Sequence, residues 1–416
     1  PRVLHRRQAL PGEAADAEQG LQRRQGLLRL SSAGLAAGAP RVALAEAPAA
    51  GSQSFKAAWT AKEGTSFLTS FSEDAYGAMR DDTRRTPAFI KAIRQRVSSK
   101  PGLTMLDIGT GPFALFALVA ARAGAKKVYA IEANPEAAER ARRFVDKADD
   151  IPKGTIEVIE GFTTAINLPE KVDLICAEII GAVASEENCI STIRDAQARF
   201  LKEPNNPASY IPVGVETYAA PVSYALHPIL APPRFEKLKG MPLRVNCRDR
   251  TVQLLSDPQK IEDIQFGDPN LPQAGTWNTP QPYYTYTVSA DRIASNEKEF
   301  FEALVKENLA EEEARSEAKK TATTFSGMAF WPRLVLDTAG EIVVDSRGPL
   351  GEHQKSHWQT VVSLMNPTPV PVQAGDTLRI SESAEIGKEV LSPVRYSLQG
   401  ELFSSGGSSA GAAAAA

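Results

Sequence analysis

Between residues 100 and 212 the chain alternates short apolar runs with longer stretches in which apolar and charged positions recur at helical spacing. The run 104–108 is wholly buried in character and stops at Gly109, which predicts a strand entering a tight turn. A helix is predicted over 112–122, with Pro112 in its first turn, where the missing N–H does no harm. Strand character returns at 127–131, a helix at 135–148, strands at 155–159 and 172–177, and a helix at 185–201. That order implies an α/β domain with a parallel, doubly wound sheet. Beyond Pro212 the texture changes to short β-rich runs separated by Pro and Gly turns, at 213–222, 283–288, 334–344, 358–364, 377–381 and 394–402. These predict an antiparallel sandwich or barrel, interrupted by a charged helical stretch at 297–320.

Composition narrows the picture. The 416 residues are 43% hydrophobic and 23% charged, enough for two or three domains with full cores. The net charge of -3 carries no basic bias, so direct nucleic-acid binding is not expected. No window of about 18 uncharged apolar residues occurs, and no membrane span is expected. Cys176, Cys189 and Cys247 lack zinc spacing and are too few for a disulfide framework; with only four histidines, no metal site is expected. Residues 1–50 are rich in Ala and Arg and read as a leader, either disordered or a targeting segment. The division that follows is a cofactor domain over 51–212, a β-barrel domain over 213–405 and a low-complexity tail over 406–416.

The candidate chemistry starts at Leu106-Asp107-Ile108-Gly109-Thr110-Gly111, where a strand meets a helix. Glycines there let the backbone turn and approach a ligand. Glu132 closes the next strand, 21 residues after Gly111, where a carboxylate can accept both ribose hydroxyls of a nucleoside. The third glycine of a dinucleotide fingerprint is missing and Pro112-Phe113 follows, so a nucleoside without a pyrophosphate fits best. S-adenosylmethionine is such a cofactor.

Four motifs in order then resemble the protein arginine methyltransferases, a class I S-adenosylmethionine-dependent family. They are the Met79-Arg80-Asp81-Asp82-Thr83-Arg84-Arg85 segment, the cofactor motifs ending at Gly111 and Glu132, the loop from Glu178 to Glu187, and Ser356-His357-Trp358. The texture is nearest the monomethylating branch. The resemblance implies a Rossmann-like methyltransferase domain followed by a barrel, methyl transfer to arginine of a protein or peptide, a homodimer, and a place in cytoplasm or nucleus. It implies that Arg85 (Arg84 the alternative), Met79, Asp107, Gly109, Gly111 and Glu132 hold the cofactor. Glu178 and Glu187 would grip the guanidinium, with Glu186 the competitor in that loop, and His357 would pair with Asp82. The carboxylate is expected to raise the His357 pKa. The 230–280 segment is expected to supply a dimerisation arm. Ile179-Ile180 replace the family's Trp-Met, and the lid at 66–70 lacks both tyrosines. Two alternatives therefore stand beside arginine methylation: a small-molecule methyltransferase, and a scaffold without activity.

Overall fold

The computed structural model describes residues 52–61, 71–271, 275–278, 281–306, 308–348, 351–387 and 392–405. The expected leader, tail and 66–70 lid lie outside these residues. In chain order the first strands are β1 (Gln53–Thr60), β2 (Thr104–Ile108), β3 (Lys127–Glu132), β4 (Ile156–Glu160), β5 (Leu174–Ala177) and β6 (Tyr210–Ile211). The helices of this half are α1 (Glu73–Arg80), α2 (Arg85–Ser99), α3 (Leu115–Arg122), α4 (Pro135–Asp146) and α5 (Cys189–Arg199).

Strands β2 to β6 form a parallel sheet in the order β4-β3-β2-β5-β6. Every residue of β2 and β5 is buried, as a sheet covered on both faces requires. The strand order reverses beside β2, so the switch point, where such folds bind ligands, lies between the carboxyl ends of β2 and β5. Helix α2 presses Phe89, Ile93 and Val97 into this core, and Phe89 stacks on Phe116 of α3 at 4.8 Å. Helix α4 buries only alanines, Ala137, Ala138 and Ala141, and is started by Asn134, whose side chain accepts the Ala137 N–H, with Pro135 in the first turn.

The second half contributes β7 (Gly214–Tyr224), β8 (Leu243–Asn246), β9 (Val252–Leu254), β10 (Gln259–Gln265), β11 (Gly275–Asn278), β12 (Tyr284–Thr287), β13 (Thr324–Phe325), β14 (Gly327–Val335), β15 (Val343–Asp345), β16 (Gln359–Leu364), β17 (Val370–Pro371), β18 (Thr377–Ile386) and β19 (Arg395–Phe403). Its two main sheets are antiparallel: β10-β7-β14-β16-β8, with β9 and β15 at its margins, and β1-β19-β18-β11, with β12 also on β18. Their facing sides share one apolar cluster that includes Phe55, Trp59, Phe330, Val361, Leu378 and Leu398. The architecture is thus a doubly wound α/β domain and an antiparallel barrel-like domain. Among the described residues no helix is long and apolar enough to cross a membrane.

Several expected elements are corrected. The 53–60 segment, assigned to the cofactor domain, is strand β1 of the barrel sheet, paired along its whole length with β19. The helix expected from Pro112 begins at Leu115, because Ala114 takes a left-handed conformation (φ 45°, ψ 37°) and residues 111–114 form an extra turn. The strand expected over 334–344 is a hairpin of β14 and β15, turned where Asp337 accepts the Ile342 N–H at 2.8 Å. Within 230–280, where the arm is expected, β8, β9 and β10 belong to the seven-stranded sheet. The single charged helix expected over 297–320 is two helices, α6 (Ala290–Lys306) and α7 (Glu311–Ala322), separated by a short break.

Candidate active site

The loop after β2 sets the floor of the site. Gly109 has φ +75°, and a Cβ there would stand 3.1 Å from Ile179 Cγ2, so the β2 and β5 ends approach as closely as the backbone permits. Gly111 (φ +66°) lies under the ring of Tyr76, 3.8 Å from where its Cβ would be. The Gly109 and Thr110 N–H groups both donate to the Ile131 carbonyl at 3.0 Å, which ties this loop to β3. Glu132 then accepts the Gly111 N–H on Oε2 and the Asn134 N–H on Oε1, each at 2.8 Å. Burial pushes its pKa up, against the backbone N–H groups of Asn134, Gly111 and Ala133. Asp107, fully buried beneath the loop, accepts the Thr110 hydroxyl at 2.6 Å, and burial pushes its pKa up to about 7.

Helix α1 and the start of α2 form one wall. Asp82 is the organising residue there. Its Oδ1 accepts the Arg84 and Arg85 N–H groups at 2.9 Å, satisfying donors that the first turn of α2 leaves without helical partners. Its Oδ2 accepts the backbone N–H of His357 at 2.9 Å and the ring Nδ1 at 3.0 Å, across 275 residues of chain. Arg85 is buried and Arg84 exposed. The Arg85 guanidinium is a fork around Glu178: Nε donates at 2.9 Å and Nη2 forms a short ion pair with the same carboxylate. Its Nη1 donates to the Met79 carbonyl at 3.2 Å, so Met79 takes part through its backbone. Trp358 donates its indole N–H to the Ile180 carbonyl at 2.8 Å, which seats the His357 loop on the segment following Glu178.

The expected rise in the His357 pKa is corrected. Burial dominates and lowers it, with the Asp82 hydrogen bond opposing. Burial raises the Asp82 pKa, but the bonds from His357, Arg85 and Arg84 outweigh it and hold the carboxyl well below its usual range. The pair is therefore a carboxylate bonded to a neutral imidazole. Nδ1–H is then the donor to Asp82, and Nε2 is the ring's acceptor.

The turn Ala184–Glu187 carries the second acidic pair. Glu186 is 3% exposed and ion-paired with Arg244 of β8, while Glu187 is half-buried at the turn's end. Asp82, Arg85, Glu178 and His357 are therefore joined by direct contacts. Gly109 and Ile179 link them to the cofactor loop, where Gly111 and Glu132 are bonded, and Glu187 follows on the loop beyond. Sequence reasoning named neither Arg244 nor the packing of Tyr76 on the loop, since both depend on partners distant in the chain.

No protein-family model matches the chain. Among curated proteins, it is 40% identical to protein arginine N-methyltransferase PRMT10 of Arabidopsis thaliana over 124 residues, 30% of this chain and 31% of that one. It is 35% identical to protein arginine N-methyltransferase 6 of Danio rerio over 143 residues, 34% of this chain and 39% of that one. The matched stretch thus spans about a third of these relatives' length. Among solved structures, Arabidopsis thaliana protein arginine methyltransferase 10 superposes with a TM-score of 0.58 at 21% identity, over 80% of this chain and 93% of that one. The Trypanosoma brucei PRMT1 enzyme–prozyme complex with AdoHcy gives 0.53 at 18% identity, over 74% and 90%. Over its aligned stretch the chain is thus similar in sequence to protein arginine methyltransferases, and its two-domain architecture shares their fold.

Proposed function

We propose that the protein transfers a methyl group from S-adenosylmethionine to an arginine side chain of a protein or peptide. The observation that carries this reading is the direct linkage of Asp82, Arg85, Glu178 and His357, from three separate segments, at the switch point of the parallel sheet. The cofactor supplies a methyl group made electrophilic by its sulfonium. The residues present fit such a ligand. Gly109 and Gly111 let the loop take left-handed conformations close against Ile179 and Tyr76. The Glu132 carboxylate accepts the Gly111 and Asn134 N–H groups and keeps acceptor capacity for a ribose hydroxyl. No cradle for a second phosphate follows Gly111.

Arginine stays charged at neutral pH and is a poor nucleophile. Two carboxylates can grip its planar fork, aim one nitrogen and hold positive charge on the others. Glu178 and Glu187 take that role in this reading. Arg85 holds Glu178 in place and offers its remaining donor capacity to the cofactor's carboxylate. His357, kept in the Nδ1–H tautomer by Asp82, presents Nε2 to receive the proton the substrate nitrogen must lose. A homodimer is proposed on the same resemblance, with the segment between about residues 230 and 280 as the candidate arm. Radiolabelled methyl transfer to arginine-rich peptides tests the reading, and amino-acid analysis of the product distinguishes one methyl from two. Transfer that persists in Glu178→Gln, or that lands only on small molecules, would overturn it.

A further inference from the structure

We infer that Glu262, in the barrel, is a positioning residue for Glu187: it fixes the turn on which Glu187 sits. This rests on the arginine-methylation reading above. The turn Ala184–Glu187 is bonded to the barrel at successive residues. The Ala184 N–H donates to Thr217 Oγ1 at 2.9 Å, and Thr217 Oγ1 donates in turn to Glu262 Oε2 at 2.5 Å. Ser185 Oγ donates to Glu262 Oε1 at 2.5 Å and lies 2.7 Å from Tyr396 Oη. A hydroxyl has one proton to give. Ser185 spends its proton on Glu262, so the Tyr396 hydroxyl must be the donor to Ser185. The chain of bonds therefore runs inward from β19 and from the turn, and both branches end on the two oxygens of one carboxyl group. Glu186 is held separately by Arg244. Asn188 follows in a left-handed conformation (φ 59°) and starts α5. Glu187 is thus set between two fixed neighbours.

Burial argues that this arrangement serves position more than stability. Glu262, Ser185, Thr217 and Tyr396 are each at most 1% exposed. Taking a carboxyl out of water against hydroxyl partners is costly, and an apolar side chain of similar volume would hold a barrel at least as well. What the carboxyl adds is direction, because it accepts two hydroxyls at fixed angles and so sets the turn's register against β7 and β10. A guanidinium gripped by two carboxylates tolerates little error, since a misplacement of about 1 Å can cost roughly 100-fold in rate.

The test compares Glu262→Leu, Glu262→Gln and Ser185→Ala in the full chain. Four properties are read: methyl transfer to an arginine peptide, S-adenosylhomocysteine affinity by calorimetry, melting temperature, and amide exchange at residues 184–188. Glu262→Leu is expected to lower kcat at least about tenfold, with KM and cofactor affinity within about twofold and faster exchange confined to the turn. Glu262→Gln keeps an acceptor for Ser185 and should recover most of kcat. Ser185→Ala should show a smaller loss in the same direction. Unchanged kcat in Glu262→Leu, or a loss of kcat that follows cofactor affinity and melting temperature together, would overturn the proposal. If the wild-type chain transfers no methyl to arginine, the functional reading fails by itself. Amide exchange then decides the anchor, and unchanged protection of residues 184–188 in Glu262→Leu overturns it.

Discussion

Replacing Asp82 by Asn changes one atom and should disturb both the clasp between the domains and the chemistry. Asn keeps an oxygen for the Arg84 and Arg85 N–H groups, but its amide nitrogen then faces the two donors of His357. The imidazole can relieve half of the conflict by moving its proton to Nε2, which lets Nδ1 accept from the amide. The His357 backbone N–H remains without its acceptor, at about 1–3 kcal/mol, and the bonds to α2 lose their charge assistance, at about 1 kcal/mol in all. The expected destabilisation is about 3 kcal/mol, read as increased amide exchange at Arg85 and His357. The tautomer change is a separate consequence: Nε2 becomes a donor and can no longer take a proton. Turnover should therefore fall further than stability accounts for. Nitrogen NMR of labelled histidine reads the tautomer directly, and a double-mutant cycle with His357→Gln should give a coupling of about 1–3 kcal/mol. A loss below about 1 kcal/mol, an unchanged Nδ1–H tautomer, or additive effects would refute the reasoning. The pH dependence has a definite sign. Both pKa values lie below their unfolded values, so the clasp contributes fully above the unfolded histidine value and weakens as pH falls, first through the His357 range and then through that of Asp82.

Glu178→Gln keeps the shape beside Arg85 but removes the charge that localises charge on the substrate, so turnover should collapse with cofactor affinity changed less than about tenfold; single-turnover assays and calorimetry check the two halves. Glu132→Ala removes the proposed ribose acceptor, worth about 1.5–3 kcal/mol per charge-assisted bond, and calorimetry should show at least a tenfold fall in cofactor affinity. Asp107 has its pKa raised by burial, so its contribution to stability is complete below its unfolded value and is lost as pH rises through about 7. Asp107→Asn should accordingly show a smaller drop in Tm between pH 6 and pH 8 than the wild type, and equal drops would remove that assignment.

What sequence could reveal follows the range of the forces involved. Strand β2 and helix α4 are legible because their signals are local: a short apolar run closed by Gly109, and Asn134-Pro135 ahead of spaced alanines. The start of α3 misleads, since Pro112 normally opens a helix and only the left-handed Ala114 delays it. Strand β1 carries a plain alternating pattern but nothing in it names its partner, which lies more than 330 residues on. At the site, the motifs single out Asp82, Glu178 and His357 as candidates. The bond between Arg85 and Glu178 is not legible in them, because the motifs point each residue to a different ligand. Likewise Glu262 lies in an ordinary strand, and only the fold brings Ser185 and Thr217 to it.

The pairing of β1 with β19 makes the order of synthesis matter. All five strands of the parallel sheet lie between residues 104 and 211, so that domain has its whole ladder available while the ribosome is still translating the barrel. β1 precedes it and waits for residues 395–403. At about 5–20 residues per second, some 340 residues take roughly 20–70 s to make. Throughout that interval β1 has an unpaired backbone edge with Phe55 and Trp59 on one side, the features by which strands recruit wrong partners. Its correct ladder also closes a very long loop, which is entropically late. The nascent chain therefore presents a folded cofactor domain tethered to an unsatisfied strand, and that strand is where a chaperone holding the growing polypeptide would have the most to protect.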